Sequence, residues 1–336
     1  MKQLAREIAF IIGPEELLRK LSDPVWFQAF GCVLGFDWHS SGLTTTALGA
    51  LKEGLKGTER ELGLFIGGGK GAASRKTPQE IESFCQNFHL PSSRSLVPNP
   101  LIYASKMTAK VDNTALQDGY QLYHHVFLFT KTGRWAVVQQ GMNDKNRYAR
   151  RYHWLGETVS SFVNEPHQGI VSDKTGEALN LVAADSEATR NASTTLSHEK
   201  PEKLLAELNK VKSLKLSKIH EVLIEGVNPE RLYASFVKSY ERNPKNFAEL
   251  IYTAGVGPKA IRALALLSDL IFKATPSFKD PAKYSFAHGG KDGHPFPVDK
   301  STYLTSIVVL HDALNKAKIG HYDKMRAFKR LNSFIG

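Results

Sequence analysis

The first 30 residues carry apolar positions at helical spacing, in MKQLAREIAFIIGPEELLRK. They predict one helix ending near Gly13-Pro14 and a second, shorter one before Asp23-Pro24, because a residue that precedes proline is pushed out of the helical region. From Gly31 to about Gly156 the pattern changes: glycines become frequent and β-rich runs appear. Tyr120–Thr130 and Trp135–Gln140, joined by Lys131-Thr132-Gly133-Arg134, predict a β-hairpin by their turn chemistry. Residues 44–55 return to helical spacing, and Thr77-Pro78-Gln79-Glu80 reads as a cap, with Pro at N1 and Glu at N3, opening another helix.

Residues 165–200 are poor in aromatics and rich in Ser, Thr, Asp and Asn, which predicts a connector with little core of its own. Beyond Pro201 apolar residues recur every three to four positions, in Leu204, Leu205 and Leu208, then Leu223 and Ile224, then Leu232, Phe236 and Val237. The expected fold class is α+β: a mixed N-terminal domain over 1–164 with a β-hairpin, a connector over 165–200, and an all-α domain over 201–336.

At 336 residues, 42% hydrophobic and 23% charged, the chain has the composition of a globular protein able to bury cores without disulfides. Two cysteines, Cys32 and Cys85, exclude a disulfide-rich secreted scaffold. No stretch is long enough to span a bilayer and the N-terminus lacks a signal-peptide pattern, so a cytoplasmic, membrane-free setting is expected. The net charge of +11 is unevenly placed: residues 201–336 hold 22 basic and 13 acidic residues, a net of +9. A basic C-terminal half points to a polyanionic partner, DNA in the first place, held with little sequence preference.

Within that half, residues 246–267 (NFAELIYTAGVGPKAIRALALL) place two apolar helices around Gly255-Val256-Gly257. Gly255 permits a left-handed turn, Gly257 lets a ligand approach the backbone, and Pro258 starts the next helix. This resembles the helix-hairpin-helix of DNA-repair proteins. The resemblance implies phosphate contacts from the second helix's first amides, packing by Val256, and supporting charge from Lys259 and Arg262. It also implies a chemistry, because Lys259 stands where glycosylases that cleave abasic sites carry a Schiff-base lysine. Asp299, in Pro297-Val298-Asp299, resembles their catalytic aspartate. That reading is a DNA glycosylase with abasic-site lyase activity that needs no cofactor. Ahead of Asp299, Gly289 and Gly290 beside Lys291 form a candidate anion nest, with His288 nearby.

Two further readings compete. Asp37, His39, Asp112, Asp118 and His124 supply the acids and histidines of a nuclease dependent on Mg or Mn. Alternatively, the chain is a non-catalytic nucleic-acid-binding protein, to which Arg147, Arg150 and Arg151 with Tyr148, Tyr152 and Trp154 would contribute. Gly67-Gly68-Gly69-Lys70 lacks the Ser or Thr of a phosphate loop, leaving general phosphate contact through Lys70 and Arg75. The stretches DWHSSGLTTTALGALKEGL, GGGKGAASRKTP, DGYQLYHHVFLFTKTGRWAVVQQGMN, ARRYHW and AHGGKDGHPFPVD resemble an archaeal and bacterial family known only as domain of unknown function 763. That resemblance spans nearly the whole chain and implies no residue role.

Overall fold

The computed structural model describes residues 1–36, 42–90, 99–213, 220, 223–224, 227–285 and 300–335. The predicted breaks fall as expected. Helices α1 (Lys2–Ile12), α2 (Pro14–Ser22) and α3 (Pro24–Leu34) are separated by Gly13 and Asp23, and Asp23 Oδ1 caps α3 by accepting from the Val25 amide at 2.8 Å. There follow α4 (Leu43–Leu55), α5 (Glu59–Leu62), β1 (Leu64–Lys70), α6 (Ala72–Arg75), α7 (Thr77–Asn87), α8 (Pro100–Lys110), a π-helical turn (Val111–Ala115) and β2 (Leu116–Gln117). Next come β3 (Gln121–Thr130), β4 (Trp135–Met142), β5 (Ala149–Leu155), β6 (Gly169–Ser172), β7 (Glu177–Asn180) and α9 (Glu187–Leu196). The remaining described elements are α10 (Pro201–Lys212), α11 (Pro229–Arg242), α12 (Phe247–Tyr252), α13 (Pro258–Phe272), β8 (Ser277–Lys279), α14 (Lys300–Lys316) and α15 (His321–Ile335).

The chain is α+β. Its main sheet runs β1-β3-β4-β5-β6 and is antiparallel throughout; β2-β7-β8 form a small second sheet. The predicted hairpin is β3–β4, closed by the Thr130 amide donating to Arg134 O at 2.9 Å. Strand alternation sends Phe65, Phe127, Phe129, Val137, Trp154 and Ile170 to one face, here face A, where α7 to α13 gather. Leu64, Ile66, Val126, Leu128, Val138 and Leu155 point to face B, covered by α1–α4, α14 and α15. Burial on both faces is why β3 reads as an almost unbroken apolar run.

The linear division of the chain does not survive. Residues 165–200 supply β6 to the main sheet, β7 to the small one, and α9. Their polarity is deceptive because the hydroxyls are spent internally: Ser193 Oγ lies 3.1 Å from Ser268 Oγ, and Thr189 Oγ1 donates to Ala274 O at 2.8 Å. Small hydroxylated side chains let α9 and α13 pack closely. Nor is the stretch beyond 201 a purely helical unit, since it contains β8, and α14 and α15 pack with α1 and α3 on face B. The expected capping box at Thr77–Glu80 is also absent. Glu80 Oε2 instead accepts from the Gly68 amide at 2.6 Å and from Lys52 Nζ at 2.9 Å, turning away from its own helix toward β1.

Candidate functional site

The Gly255–Gly257 turn forms between two helices, as expected. Gly255 sits at φ +87°, a left-handed backbone that favours glycine. Val256 is buried and Gly257 is the extended N-cap of α13. The turn is pinned from behind: Lys110 Nζ donates to Val256 O at 2.8 Å and Gln117 Nε2 to Pro258 O at 2.8 Å, while Ser235 Oγ donates to Gly255 O at 2.8 Å. Burial depresses the Lys110 ammonium below its ordinary value. On the outer side nothing lies within 4 Å of where a Gly257 side chain would begin, and Lys259 is exposed. Lys238 approaches Gly255, and Lys238 and Arg242 line a shallow adjoining cleft of about 570 Å³ with Tyr252 and Thr253.

Arg262, expected as a DNA contact, also has a partner within the fold. Half-buried, it donates from Nε to Gln117 Oε1 at 2.8 Å and so orients the side chain that holds Pro258. Lys110 and Gln117, more than 130 residues earlier, were invisible as hairpin supports because only the fold brings them there. Asp299, Lys291, Asp37 and His39 lie outside the described residues. The helix that follows Asp299, α14, packs on face B, while α13, which carries Lys259, packs on face A.

Of the acids and histidines expected as a nuclease site, Asp112, Asp118 and His124 are described, and their side chains have separate surroundings. Asp112, fully buried on face A, accepts from Trp154 Nε1 at 2.9 Å, from Gln139 Nε2 and from His167 Nε2. Gln139 Oε1 in turn accepts from His125 Nδ1 at 2.6 Å, which leaves His125 Nε2 to accept from Ser105 Oγ at 2.9 Å. Burial holds the His125 imidazole below its usual range, so the chain Ser105–His125–Gln139–Asp112 is made of neutral donors ending on one carboxylate. Asp118 is saturated separately by Arg150, the Tyr152 hydroxyl and the Tyr120 amide. His124 points to face B, across the sheet from Asp112. Among the described residues no group of three or more His, Cys, Asp or Glu is placed to hold a metal ion.

The Arg-aromatic stretch is divided: Arg147 and Tyr148 are exposed, and the residues from Arg150 to Trp154 are core. Arg150, Tyr152 and Trp154 point to face A, Arg151 to face B, and all are buried. Arg151 donates to Gln28 Oε1 at 3.0 Å and to His153 Nε2 at 2.8 Å; burial lowers its guanidinium to about 9. Gly67–Lys70 is strand rather than loop. Gly68, at φ +94°, is required because a side chain would meet His125 O, whereas Lys70 stays exposed at the strand's end. There it faces His124 across β1–β3, in a row that continues through Gln140 and Arg151.

A family model described as "Protein of unknown function (DUF763)" matches residues 1–298. The chain belongs to that family. The DUF763 match covers the main sheet and the Gly255–Gly257 turn and stops short of α14 and α15. Nothing among curated proteins or solved structures matches the chain. No described helix is long and apolar enough to cross a membrane.

Proposed function

We propose that this DUF763 protein binds DNA through the phosphate backbone, using the α12–α13 hairpin as a helix-hairpin-helix in the manner of DNA-repair proteins. The observation that carries the reading is the two-sided construction of the turn: Lys110 and Gln117 fix Val256 and Pro258 from behind while Gly257 faces open space. A backbone held so rigidly presents the α13 amides at Lys259 and Ala260 without paying for ordering when a phosphate arrives. Lys238, Arg242 and Lys259 around the hairpin supply counter-charge. Contacts of this kind ignore base identity, so low sequence preference and a steep salt dependence are expected.

A DNA-processing step is a second layer of the same proposal. Lys259, exposed beside the turn, is the candidate imine-forming lysine, its amine attacking the open-chain aldehyde carbon of an abasic sugar with loss of water. Electrophoretic binding titrations against duplex and single-stranded DNA test the first layer, at two salt concentrations. Borohydride trapping on abasic-site DNA, with chelator present and Lys259→Gln as control, tests the second. Salt-independent binding sinks the first; absence of a Lys259-dependent adduct sinks the second.

A further inference from the structure

One face of α11 is turned to the hairpin. Arg231, Ser235, Lys238 and Arg242 recur at three- and four-residue intervals, the spacing that keeps side chains on one side of a helix. Ser235 Oγ donates to Gly255 O at 2.8 Å and the Lys238 side chain lies against Gly255, which fixes where this row sits. Its three cations are exposed and, by the rise of an α-helix, spread over about 16 Å. Between the row and the end of α12 lies the cleft of about 570 Å³, walled by Lys238, Glu241 and Arg242 on one side and by Tyr252, Thr253 and Ala254 on the other. Tyr252 is half-buried, and Tyr103 of α8 packs against its ring with centroids 4.9 Å apart. Tyr103 in turn meets Phe162 edge to face at 5.6 Å. The Tyr252 ring is thus anchored by an aromatic chain before anything enters the cleft.

We propose that this cleft takes the base of an unpaired nucleotide, so that the DNA held by the hairpin is single-stranded; the inference rests on the reading of the hairpin as a phosphate-binding turn. A base inside a duplex is stacked on both faces and paired at its edge, so only an unpaired one can lay a face against Tyr252. Arg242 offers a planar guanidinium as a second stacking surface. Glu241 in the same wall repels a phosphate, whereas its carboxylate accepts from the exocyclic amine of a base. Phosphates therefore belong to the hairpin amides and the cationic row, and the base to the cleft. Lys238 joins the two, since it touches Gly255 and lines the cleft. Arg231 carries the positive track along α11 past the turn. A charged track beside an aromatic platform is what single strands require. An acidic peptide would meet Glu241 as well and would leave the ring unused.

Fluorescence anisotropy with the full chain compares a labelled single-stranded deoxyoligonucleotide with the duplex of the same sequence at one salt concentration. Wild type should bind the single strand about tenfold more tightly. Tyr252→Leu keeps an apolar contact for Tyr103 but offers no stacking face. It should lose about fivefold or more on the single strand, leave duplex affinity unchanged and melt as wild type does, while Tyr252→Phe should bind like wild type. Should Tyr252→Leu not fold, Arg242→Ala carries the test, since that side chain is exposed; it should weaken the single strand more than the duplex. Equal affinity of wild type for the two DNAs, or a folded Tyr252→Leu that keeps its single-strand preference, would overturn the cleft and leave the hairpin reading in place. Absence of binding to either DNA would sink the hairpin reading and this inference with it.

Discussion

Arg150 and Asp118 lie 2.9 Å apart with each side chain only 1% exposed, and Asp280, 2.7 Å from the same guanidinium, ties the stretch after β8 to the start of β5. Two charges taken out of water are tolerated because Arg150 also donates to Asp280 and to Lys174 O, while Asp118 also accepts from the Tyr152 hydroxyl and the Tyr120 amide. Asp118→Ala removes one partner and leaves the guanidinium short of a counter-charge. Its expected cost is about 3–5 kcal/mol, read as a lower urea midpoint; a loss below about 1 kcal/mol would mean that water reaches Arg150.

The glycines of the hairpin should separate stability from binding. Gly255→Ala meets the Lys238 side chain and a left-handed backbone, and is expected to destabilise by about 1–2 kcal/mol. Gly257→Val has space and an ordinary extended backbone, so circular dichroism and melting should be unchanged while DNA affinity falls at least tenfold. Unchanged affinity in a folded Gly257→Val would make the turn purely structural.

Acid should weaken the fold well above the carboxylate range. His124 is held at about 4 in the folded chain against 6.5 when exposed, first by burial and then by His125 and Lys70. As pH falls through 6.5 the unfolded chain takes a proton that the folded chain refuses. The stability from this residue is therefore complete above 6.5 and is lost toward 4, about 2 kcal/mol of it by pH 5. His125 and His153 shift in the same direction, again through burial. Urea unfolding in phosphate-free buffer at pH 7.5 and pH 5 checks this, and His124→Asn should flatten the dependence.

Asp112→Ala should strip an acceptor from Gln139, Trp154 and His167 together and cost about 3 kcal/mol or more. DNA binding should persist in whatever fraction remains folded. Cleavage that requires magnesium or manganese and vanishes in Asp112→Asn would instead restore the nuclease reading.

The parts of the fold legible in the sequence were those written in local chemistry: the breaks at Gly13 and Asp23, the β3–β4 turn, and the left-handed Gly255. What escaped was set by long-range burial. Arg150 and Trp154 look like a nucleic-acid surface until helices cover both sheet faces; Ser193 and Thr189 look like linker until Ser268 and Ala274 O meet them. Lys70 and His124 were each visible as candidates, 54 positions apart. Their pairing depends on strand order β1-β3, and the approach of Tyr123 to Lys70 and Gln140 depends on a bulge that no spacing in QLYHHV announces.

Face B is finished by residues made late. The sheet is complete in sequence at Ser172, yet α14 and α15, which pack against α1 and α3, begin only at Lys300. At synthesis rates of about 5–20 residues per second, the hydrophobic seat of those two helices stays open for roughly 6 to 26 seconds on the ribosome. Truncation before Lys300 would leave that seat uncovered, and the shortened chain should aggregate where the full chain stays in solution.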